Sequence, residues 1–174
     1  MNKPLTPDEL CARLSESGIA FQRTDHPAVF TVAETAPHRD AMVGHHTKNL
    51  FLKDKKGRLF LVSAEAHARI DLKRLHETLG ASGRLSFGSA ELLQEKLGVT
   101  PGSVTAFAIV NDRDQAVTMV LDANLMTGED LNFHPLINTA TLQIGRDDLL
   151  AFLRSTGHEP LIVDLPVPPD GQNG

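Results

Sequence analysis

The sequence has one cysteine, no long hydrophobic run and no excess of positive charge. Cys11 has no second cysteine to pair with, and a chain without an internal disulfide is typical of a reducing cytosol. No run approaches the roughly 18 consecutive apolar residues of a membrane-spanning helix, so we expect no membrane insertion. The first residues show no basic stretch followed by an apolar one, so we expect no secretory signal. Together these absences predict a cytoplasmic protein.

The charge balance limits the partners that the protein can bind. The chain has 17 Lys and Arg residues and 22 Asp and Glu residues, which give a formal net charge of -5. A protein that holds a long stretch of nucleic acid usually has a basic face, so we expect no large nucleic-acid footprint. Docking of one RNA end depends on local charge instead. One group of cations adjoins a candidate site, and a solvated hairpin tip is its simpler interpretation: Lys48, Lys53, Lys55, Lys56 and Arg58.

Local signals predict where several helices begin and end. Thr6, followed by proline and then by a glutamate three residues on, is typical of a capped helix start, and Gly18 of a helix end. Asp71 is predicted to cap a helix over 72–79. Ser89 is predicted to cap the next helix, which Gly98 would end.

Apolar runs separated by turn residues predict hairpins. Runs 49–53 and 58–63 flank a glycine-containing turn, which predicts a hairpin. Both runs lack alternation, which indicates that both faces of this hairpin are covered. Runs 104–110 and 116–121 predict a second hairpin.

The order of elements predicts an α/β (α+β mixed) fold in one domain. A chain of 174 residues, 41% hydrophobic and 22% charged, is of the size and composition of a single globular unit. Helices interspersed with hairpins favour a mostly antiparallel mixed sheet with packed helices. We predict that the domain covers residues 1–165. Residues 166–174 are rich in proline and glycine and are predicted to form a disordered tail.

Each of three stretches places a polar or glycine-rich turn next to an apolar run: 44–52, 98–104 and 132–135. Loops at the mouth of a pocket have this character. In the first stretch Lys48 precedes an apolar strand. An ammonium beside apolar walls can hold a carbonyl, carboxylate or phosphate oxygen, although a plain surface lysine is the alternative. Asn49 beside it can donate or accept a hydrogen bond.

The second and third stretches offer a backbone site and an imidazole. Pro101 followed by Gly102 predicts a type II turn, whose exposed N–H groups could bind an oxyanion or a water; an ordinary connecting turn is the alternative. His134 lies between Phe133 and Pro135. As a neutral ring it could position a hydroxyl or a water, or transfer a proton. A core histidine bonded to the backbone is the other interpretation.

Taken together, the three stretches resemble the YbaK/ProX-like family of prolyl-tRNA editing proteins, over roughly residues 5–164. Within that family, stretches 84–88 and 96–104 are similar to the freestanding alanyl-tRNA(Pro) deacylase branch. The resemblance implies a sheet-centred editing-domain fold. It also implies hydrolysis of wrongly charged aminoacyl-tRNA.

The resemblance also implies a set of site residues. Lys48 would orient the aminoacyl ester, and the Gly102 loop would line the aminoacyl pocket, so these two are the predicted catalytic residues. The predicted substrate-binding residues are Thr47, Asn49, Ser103, Val104 and His134, with Phe30, Met42, Val43 and Leu50 as apolar walls. No cofactor is expected. The irregular spacing of the nearby histidines also argues against a metal site.

The implied activity has a physical rationale. A synthetase pocket that accepts proline cannot sterically reject the smaller alanine, and each lost methylene is worth only about 1–3 kcal/mol of discrimination. A second, tighter site that hydrolyses what fits removes the error. The sequence therefore predicts water attack on the ester of Ala-tRNA(Pro), assisted by the terminal ribose hydroxyl as the resemblance implies. The predicted partners are the 3′ end of aminoacyl-tRNA and prolyl-tRNA synthetase.

Three alternatives stay open at this point. The first is a Cys-tRNA(Pro) deacylase on the same fold. The second is a catalytically silent module that binds tRNA or a synthetase. The third is a hydrolase of small esters that needs no RNA.

Overall fold

Helices and strands are interspersed along residues 3–28 and 45–169, the part of the chain that the computed structural model describes. The helices are α1 (Pro7–Glu16), α2 (Leu75–Leu79), α3 (Ala90–Leu97) and α4 (Arg146–Ser155), with 3-10 turns at Pro101–Ser103, Ala106–Asn111 and Leu125–Thr127. The strands are β1 (Phe21–Asp25), β2 (His45–Lys53), β3 (Leu59–Glu65), β4 (Ser86–Phe87), β5 (Val117–Asp122), β6 (Asp130–Phe133), β7 (Ala140–Gly145) and β8 (Leu161–Val163). None of the helices in these ranges is long and apolar enough to cross a membrane.

The predicted helix caps are present at α1 and α3. The Thr6 hydroxyl accepts a hydrogen bond from the Glu9 N–H at 3.1 Å, and the Glu9 carboxylate accepts one from the Thr6 N–H at 3.0 Å. The Ser89 hydroxyl caps α3 by accepting from the Leu92 N–H at 3.1 Å. Gly98 then ends α3 in the left-handed region, with φ of 66°. The prediction for α2 was too long, because Asp71 holds a turn through the Lys73 N–H and the helix begins at Leu75.

One sheet connects the strands in the order β1-β7-β6-β2-β3-β5-β8, and β4 pairs separately with β2. The pairs β1·β7, β6·β7, β2·β3 and β2·β4 are antiparallel, whereas β2·β6, β3·β5 and β5·β8 are parallel. This mixed sheet with packed helices confirms the predicted fold class. Since β3 occupies one edge of β2, β6 and β4 share the other edge, β6 at its start and β4 at its end.

Apolar residues cover both faces of the central hairpin, as its lack of alternation predicted. Phe51 and Leu61 belong to a large buried cluster on one face, which α1, α3, α4 and the turn Ala106–Asn111 help to form. Leu52 and Phe60 belong to a smaller cluster on the opposite face, which α2 covers. Side chains alternate between faces along a strand, so these two clusters fix the direction of every side chain of β2.

The second predicted hairpin is wrong. Residues 106–111 form a 3-10 helix, and the turn at 112–115 connects this helix to β5. The Thr105 hydroxyl accepts a hydrogen bond from the Phe107 N–H at 3.4 Å and so starts the helix. A short apolar run that is buried all round has no periodicity to distinguish a strand from a helical turn.

The last part of the described chain contacts the rest of the protein. The Pro166 carbonyl accepts a hydrogen bond from the Asp71 N–H at 2.7 Å. Residues 170–174 of the predicted tail lie outside the described residues, and the boundary at 165 stays a prediction.

Candidate functional site

A row of polar side chains crosses four neighbouring strands on the face that α2 covers further along the sheet. The strand registers place Gln22 opposite Gln143, Gln143 opposite Asn132, and Asn132 beside His46. The neighbouring residues of these strands, such as Phe21 and Leu131, point to the large apolar cluster on the other face. We call Gln22, Gln143, Asn132 and His46 the polar row. These polar side chains lie next to apolar residues of the same sheet face. Ligand sites commonly combine apolar surface with a few polar groups in this way.

Lys48 lies on this same face, two residues after His46. Its ammonium donates a hydrogen bond to the carbonyl of Ala68. The loop that carries this carbonyl is bonded back to the sheet, since the Ala66 N–H donates to the His46 carbonyl at 2.7 Å and the Ala68 N–H to the Glu65 carbonyl at 2.9 Å. An ammonium has three N–H bonds. Within residues 3–28 and 45–169 it uses one of them, so two are available to an oxygen of a ligand.

Burial lowers the pKa of Lys48. The ammonium is half-buried, and the loss of solvent lowers the pKa of Lys48, while the nearby Glu65 carboxylate opposes this shift. The Glu65 carboxylate itself accepts from the His67 N–H at 2.7 Å, which holds it beside the loop. A partly desolvated cation acts more strongly on a charge that develops next to it than a solvated one does.

The two polar neighbours of Lys48 on β2 point to the opposite face. The Thr47 hydroxyl donates to the Asn132 carbonyl at 2.7 Å, which joins β2 to β6. Asn49 lies directly opposite Ser63 on β3, and its side-chain carbonyl accepts a hydrogen bond from the Ser63 hydroxyl. Their observed contacts therefore hold the strand that carries Lys48. Their predicted contact with the substrate stays a prediction.

His134 follows the end of β6 and is held by one of its ring nitrogens. Nδ1 lies 2.9 Å from the Ala140 carbonyl, and since a carbonyl only accepts, Nδ1 carries the proton of the neutral ring. Burial lowers the pKa of His134; the Ala140 hydrogen bond opposes this shift and the nearby His26 adds to it. The neutral ring then offers Nε2 as a hydrogen-bond acceptor.

Sequence reasoning missed the partner of this histidine. The rings of His26 and His134 lie 6.2 Å apart, centroid to centroid. His26 Nε2 lies 2.8 Å from the Thr141 hydroxyl, and its Nδ1 lies 2.9 Å from the Pro27 carbonyl. A signal for the pair was present, because each histidine directly follows a strand and precedes a proline.

Lys48 and His134 both come after the point at which β2 pairs with β6. In the parallel β2·β6 pair His46 lies beside Asn132, and Lys48 and His134 each come two residues later. The ladder ends at His46 and Asn132 and β6 ends at Phe133, so the approach of Lys48 to His134 stays a prediction. Leu50 follows Lys48 on the face that α2 covers, half-buried against the smaller apolar cluster.

The glycine turn is built differently from its prediction. Pro101–Ser103 is a 3-10 turn closed by a hydrogen bond of 2.9 Å from the Ser103 N–H to the Thr100 carbonyl. Gly102 does not have the positive φ that a type II turn requires. Val104 packs against the large apolar cluster. The convergence of Gly102, Ser103 and Val104 with Lys48 stays a prediction.

Some predicted residues fall outside the described ranges. Phe30, Met42 and Val43, the other predicted apolar walls, are among them. Within residues 3–28 and 45–169, no group of three or more His, Cys, Asp or Glu side chains could hold a metal ion.

Comparison with known protein families shows to which family this chain belongs. The family model described as the aminoacyl-tRNA editing domain matches residues 26–152, which include His26, Lys48 and His134. The chain belongs to the aminoacyl-tRNA editing domain family. The matched range begins at one histidine of the pair and contains the whole polar row except Gln22 on β1.

The names of several relatives of this editing domain refer to prolyl-tRNA synthetase or to prolyl-tRNA editing. It is 42% identical over 159 residues to a prolyl-tRNA synthetase associated domain-containing protein 1 of Xenopus laevis, covering 89% of this chain and 94% of the relative. It is 35% identical over 155 residues to the prolyl-tRNA editing protein ProX of Acetoanaerobium sticklandii, covering 88% and 94%. The crystal structure of a proposed trans-editing enzyme for prolyl tRNA synthetase has the same fold, with a TM-score of 0.68 at 20% identity over 93% of this chain and 99% of the other.

Proposed function

We propose that this editing domain hydrolyses the ester bond of a mischarged aminoacyl-tRNA, and that its substrate is Ala-tRNA(Pro). One observation carries the proposal: the half-buried Lys48 ammonium donates to the Ala68 carbonyl and, within the part of the chain that the structure describes, has two further N–H bonds available to a ligand. We further propose that it acts in the cytoplasm on the 3′ end of the tRNA, alongside prolyl-tRNA synthetase.

In the proposed reaction, Lys48 binds the carbonyl oxygen of the aminoacyl ester. Water attacks the carbonyl carbon, and the negative charge that develops on the oxygen is stabilised by the ammonium. The ester C–O bond then breaks, the ribose oxygen leaves with a proton, and the free amino acid is released. His134 Nε2 accepts a hydrogen bond from the terminal ribose hydroxyl or from the water and so aligns the attack.

Support for a prolyl-tRNA substrate comes from the relatives, whose names refer to prolyl-tRNA or its synthetase. The choice of alanine follows from the double-sieve argument, because a pocket that holds a methyl side chain and excludes a five-membered ring spares the correct product. A pocket that accepts a thiol as well would make the protein a Cys-tRNA(Pro) deacylase.

The test is a panel of alanyl-, cysteinyl- and prolyl-tRNA(Pro), with loss of the ester followed over time. We expect rapid loss from the alanyl substrate and no acceleration with the prolyl one. Faster loss from the cysteinyl substrate would assign cysteine instead. No acceleration with any of the three, together with tRNA binding, would identify a silent binding module. Turnover of small esters without any RNA would favour the simple hydrolase.

A substitution ties the activity to the site. Lys48→Ala should lower kcat/KM for the preferred substrate about 100-fold or more, the usual effect of removing one oxyanion donor. Lys96→Ala, on α3, removes a positive charge elsewhere and should leave kcat/KM unchanged. Equal melting temperatures for both variants and the native protein would separate loss of chemistry from loss of fold, and full activity of Lys48→Ala would remove Lys48 from the site.

A further inference from the structure

Phe87 is an exposed aromatic residue on a strand that pairs with the central hairpin. It exposes 60% of its surface, whereas the other phenylalanines in the described part of the chain are buried, apart from the half-buried Phe21. The other large apolar side chains that are exposed there lie on β8 or after it: Leu161, Ile162 and Val167. Phe87 is thus the one exposed large apolar side chain that β2 and β4 contribute within the described ranges.

The Phe87 ring lies on the same face of the sheet as Lys48. Phe87 is directly opposite Leu52 of β2, and residues directly opposite each other in an antiparallel pair share a face. Side chains alternate along a strand, so Lys48, four residues before Leu52, points to this face as well. The next residue confirms the alternation, because a Cβ at Gly88 would lie 2.5 Å from the Phe51 ring, which belongs to the large apolar cluster on the opposite face.

The end of β4 lies across a gap in the sheet from the end of β6. Both strands pair with the same edge of β2, β6 with its first two residues and β4 with its last two. Since β6 runs parallel to β2 and β4 runs antiparallel to it, the two strands end towards each other. In the part of the chain that the structure describes, no strand pairs with residues 47–51 along this edge. Lys48 and Phe87 therefore lie on one face, beside the same gap.

Contacts on both sides of Phe87 hold its backbone in place. The Gly88 N–H donates a hydrogen bond of 2.9 Å to the Phe51 carbonyl, and the Leu85 side chain packs against the smaller apolar cluster. The exposed ring is therefore carried by a backbone that is fixed to the core. A group that is held in place in this way loses little freedom when it binds a ligand.

We propose that the Phe87 ring stacks on the base of the 3′-terminal adenosine of the tRNA. This inference rests on the proposed function, in which Lys48 binds the ester carbonyl. The terminal adenosine carries that ester, so it lies close to Lys48 whatever path the rest of the RNA takes. Unpaired bases at RNA ends stack on aromatic side chains. The ring on the Lys48 face therefore supplies affinity that does not depend on which amino acid is attached.

The position of the ring fits this base. Phe87 lies beside a residue of β2 that comes four positions after Lys48, which is roughly 13 Å along a strand. A hydrogen bond to the ammonium accounts for about 3 Å of that length, and the contact between two stacked rings for about 4 Å. One ribose with its ester fills the remaining distance. The first base after the ester is therefore the one that reaches Phe87.

A single exposed ring suits a base better than a protein partner. The buried core of a protein–protein interface combines several neighbouring apolar side chains, and none of the described residues of β2 and β4 adds a second large exposed one beside Phe87. The flat face of one ring can cover the flat face of one base without such neighbours. Docking of a protein on Phe87 is the alternative that the variants must distinguish.

The test measures whether the ring and the base depend on each other. Two uncharged tRNA(Pro) molecules are compared by fluorescence anisotropy, one intact and one with an abasic ribose at its 3′ end. The native protein should bind the abasic tRNA at least about fivefold more weakly, the lower range for one stacked base. Phe87→Ala should bind both tRNAs equally, with the affinity that the native protein has for the abasic one. Such non-additivity is expected of two groups in contact.

Two further variants separate stacking from general effects. Phe87→Trp keeps a flat aromatic face and should retain the preference for the intact tRNA. Val167→Ala removes apolar surface from a residue that is 58% exposed, and should retain the preference as well. Phe87 and Val167 are both largely exposed, so the melting temperatures of all three variants should stay close to that of the native protein.

Kinetics distinguish this inference from the proposed function. Phe87→Ala should raise KM for alanyl-tRNA(Pro) about fivefold or more, and should match the native KM when the terminal ribose of the substrate is abasic. A native protein that prefers the intact tRNA but hydrolyses no ester would contradict the proposed function alone. A native protein without this preference, a preference that persists in Phe87→Ala, or an equal loss of affinity for both tRNAs would overturn the inference. So would a Phe87→Ala variant that loses binding only to purified prolyl-tRNA synthetase, since the ring would then serve a protein partner.

Discussion

The hydroxyl of Thr47 donates a hydrogen bond of 2.7 Å to the backbone carbonyl of Asn132. This bond joins the strand that carries Lys48 to the strand that ends before His134. It lies on the face opposite to the Lys48 ammonium, so Thr47 acts on the site through the alignment of two strands. The alignment of Lys48 and His134 therefore depends on a hydrogen bond between two other residues, Thr47 and Asn132.

Replacing that hydroxyl should change turnover more than affinity. Thr47→Val keeps the shape of the side chain but removes the hydrogen bond, which should lower the free energy of unfolding by about 1 kcal/mol. We expect kcat for deacylation to fall roughly tenfold with little change in KM, because a misaligned catalytic group slows the chemical step. Thr47→Ser should restore kcat. A rise in KM alone would indicate that the hydroxyl contacts the substrate directly.

The lowered pKa of Lys48 predicts a pH limit on activity. Burial lowers this pKa below the ordinary value of 10.5, against the smaller effect of Glu65. The ammonium is therefore lost at a lower pH than in an exposed lysine, and kcat/KM, corrected for spontaneous ester hydrolysis, should fall as the pH rises toward 10.5, before an exposed lysine would lose its charge. Lys48→Arg keeps its charge over this range. Its residual activity should lack the decline, and a native profile that stays flat to pH 10.5 would contradict the assignment.

Gly88 is predicted to tolerate no side chain. A Cβ there would lie 2.5 Å from two carbons of the Phe51 ring, which is 4% exposed and enclosed by the large apolar cluster. Gly88→Ala should lower the free energy of unfolding by about 2 kcal/mol, measured by urea denaturation, as overpacking in a core does. Gly145→Ala is the control, because its Cβ would meet its nearest atoms at 3.6 and 3.9 Å. It should cost less than about 1 kcal/mol.

The sequence predicted those features that depend on neighbouring residues. The capping box at Thr6 and the end of α3 at Gly98 were correct, because each depends on side chains and backbone within a few positions. The central hairpin and its two covered faces were also correct. Lys48 was expected to precede an apolar strand, whereas it lies within β2, which begins at His45.

Two kinds of feature were not predictable: which face of the sheet each side chain of a strand points to, and which distant strands pair with each other. Leu50 to Leu52 are all apolar, so nothing in the sequence showed that Lys48 faces one cluster while Thr47 and Asn49 face the other. The approach of His26 to His134 requires β1, β7 and β6 to lie side by side in a particular register. A single sequence contains no record of such a register between segments about a hundred residues apart.

A buried hydrogen-bonded pair outside the site gives the last prediction. His158 Nε2 lies 2.9 Å from Asp112 Oδ2, and the Asp112 carboxylate also accepts from the N–H groups of Ala116 and Val117, at 3.0 and 2.8 Å. Burial opposes ionisation, but the bonds from His158 and the two N–H groups prevail and lower the pKa of Asp112 below its ordinary 3.8. A carboxylate with a lowered pKa stabilises the fold above its unfolded pKa, and this stability is lost as the pH falls through the folded value.

Asp112→Asn should therefore cost about 3 kcal/mol at pH 7, and the difference from the native protein should shrink as the pH falls from about 5 to about 2. The exposed Asp114→Asn in the same turn should change little at either pH, and a gap for Asp112→Asn that stays constant with pH would show that its carboxylate is not ionised in the fold.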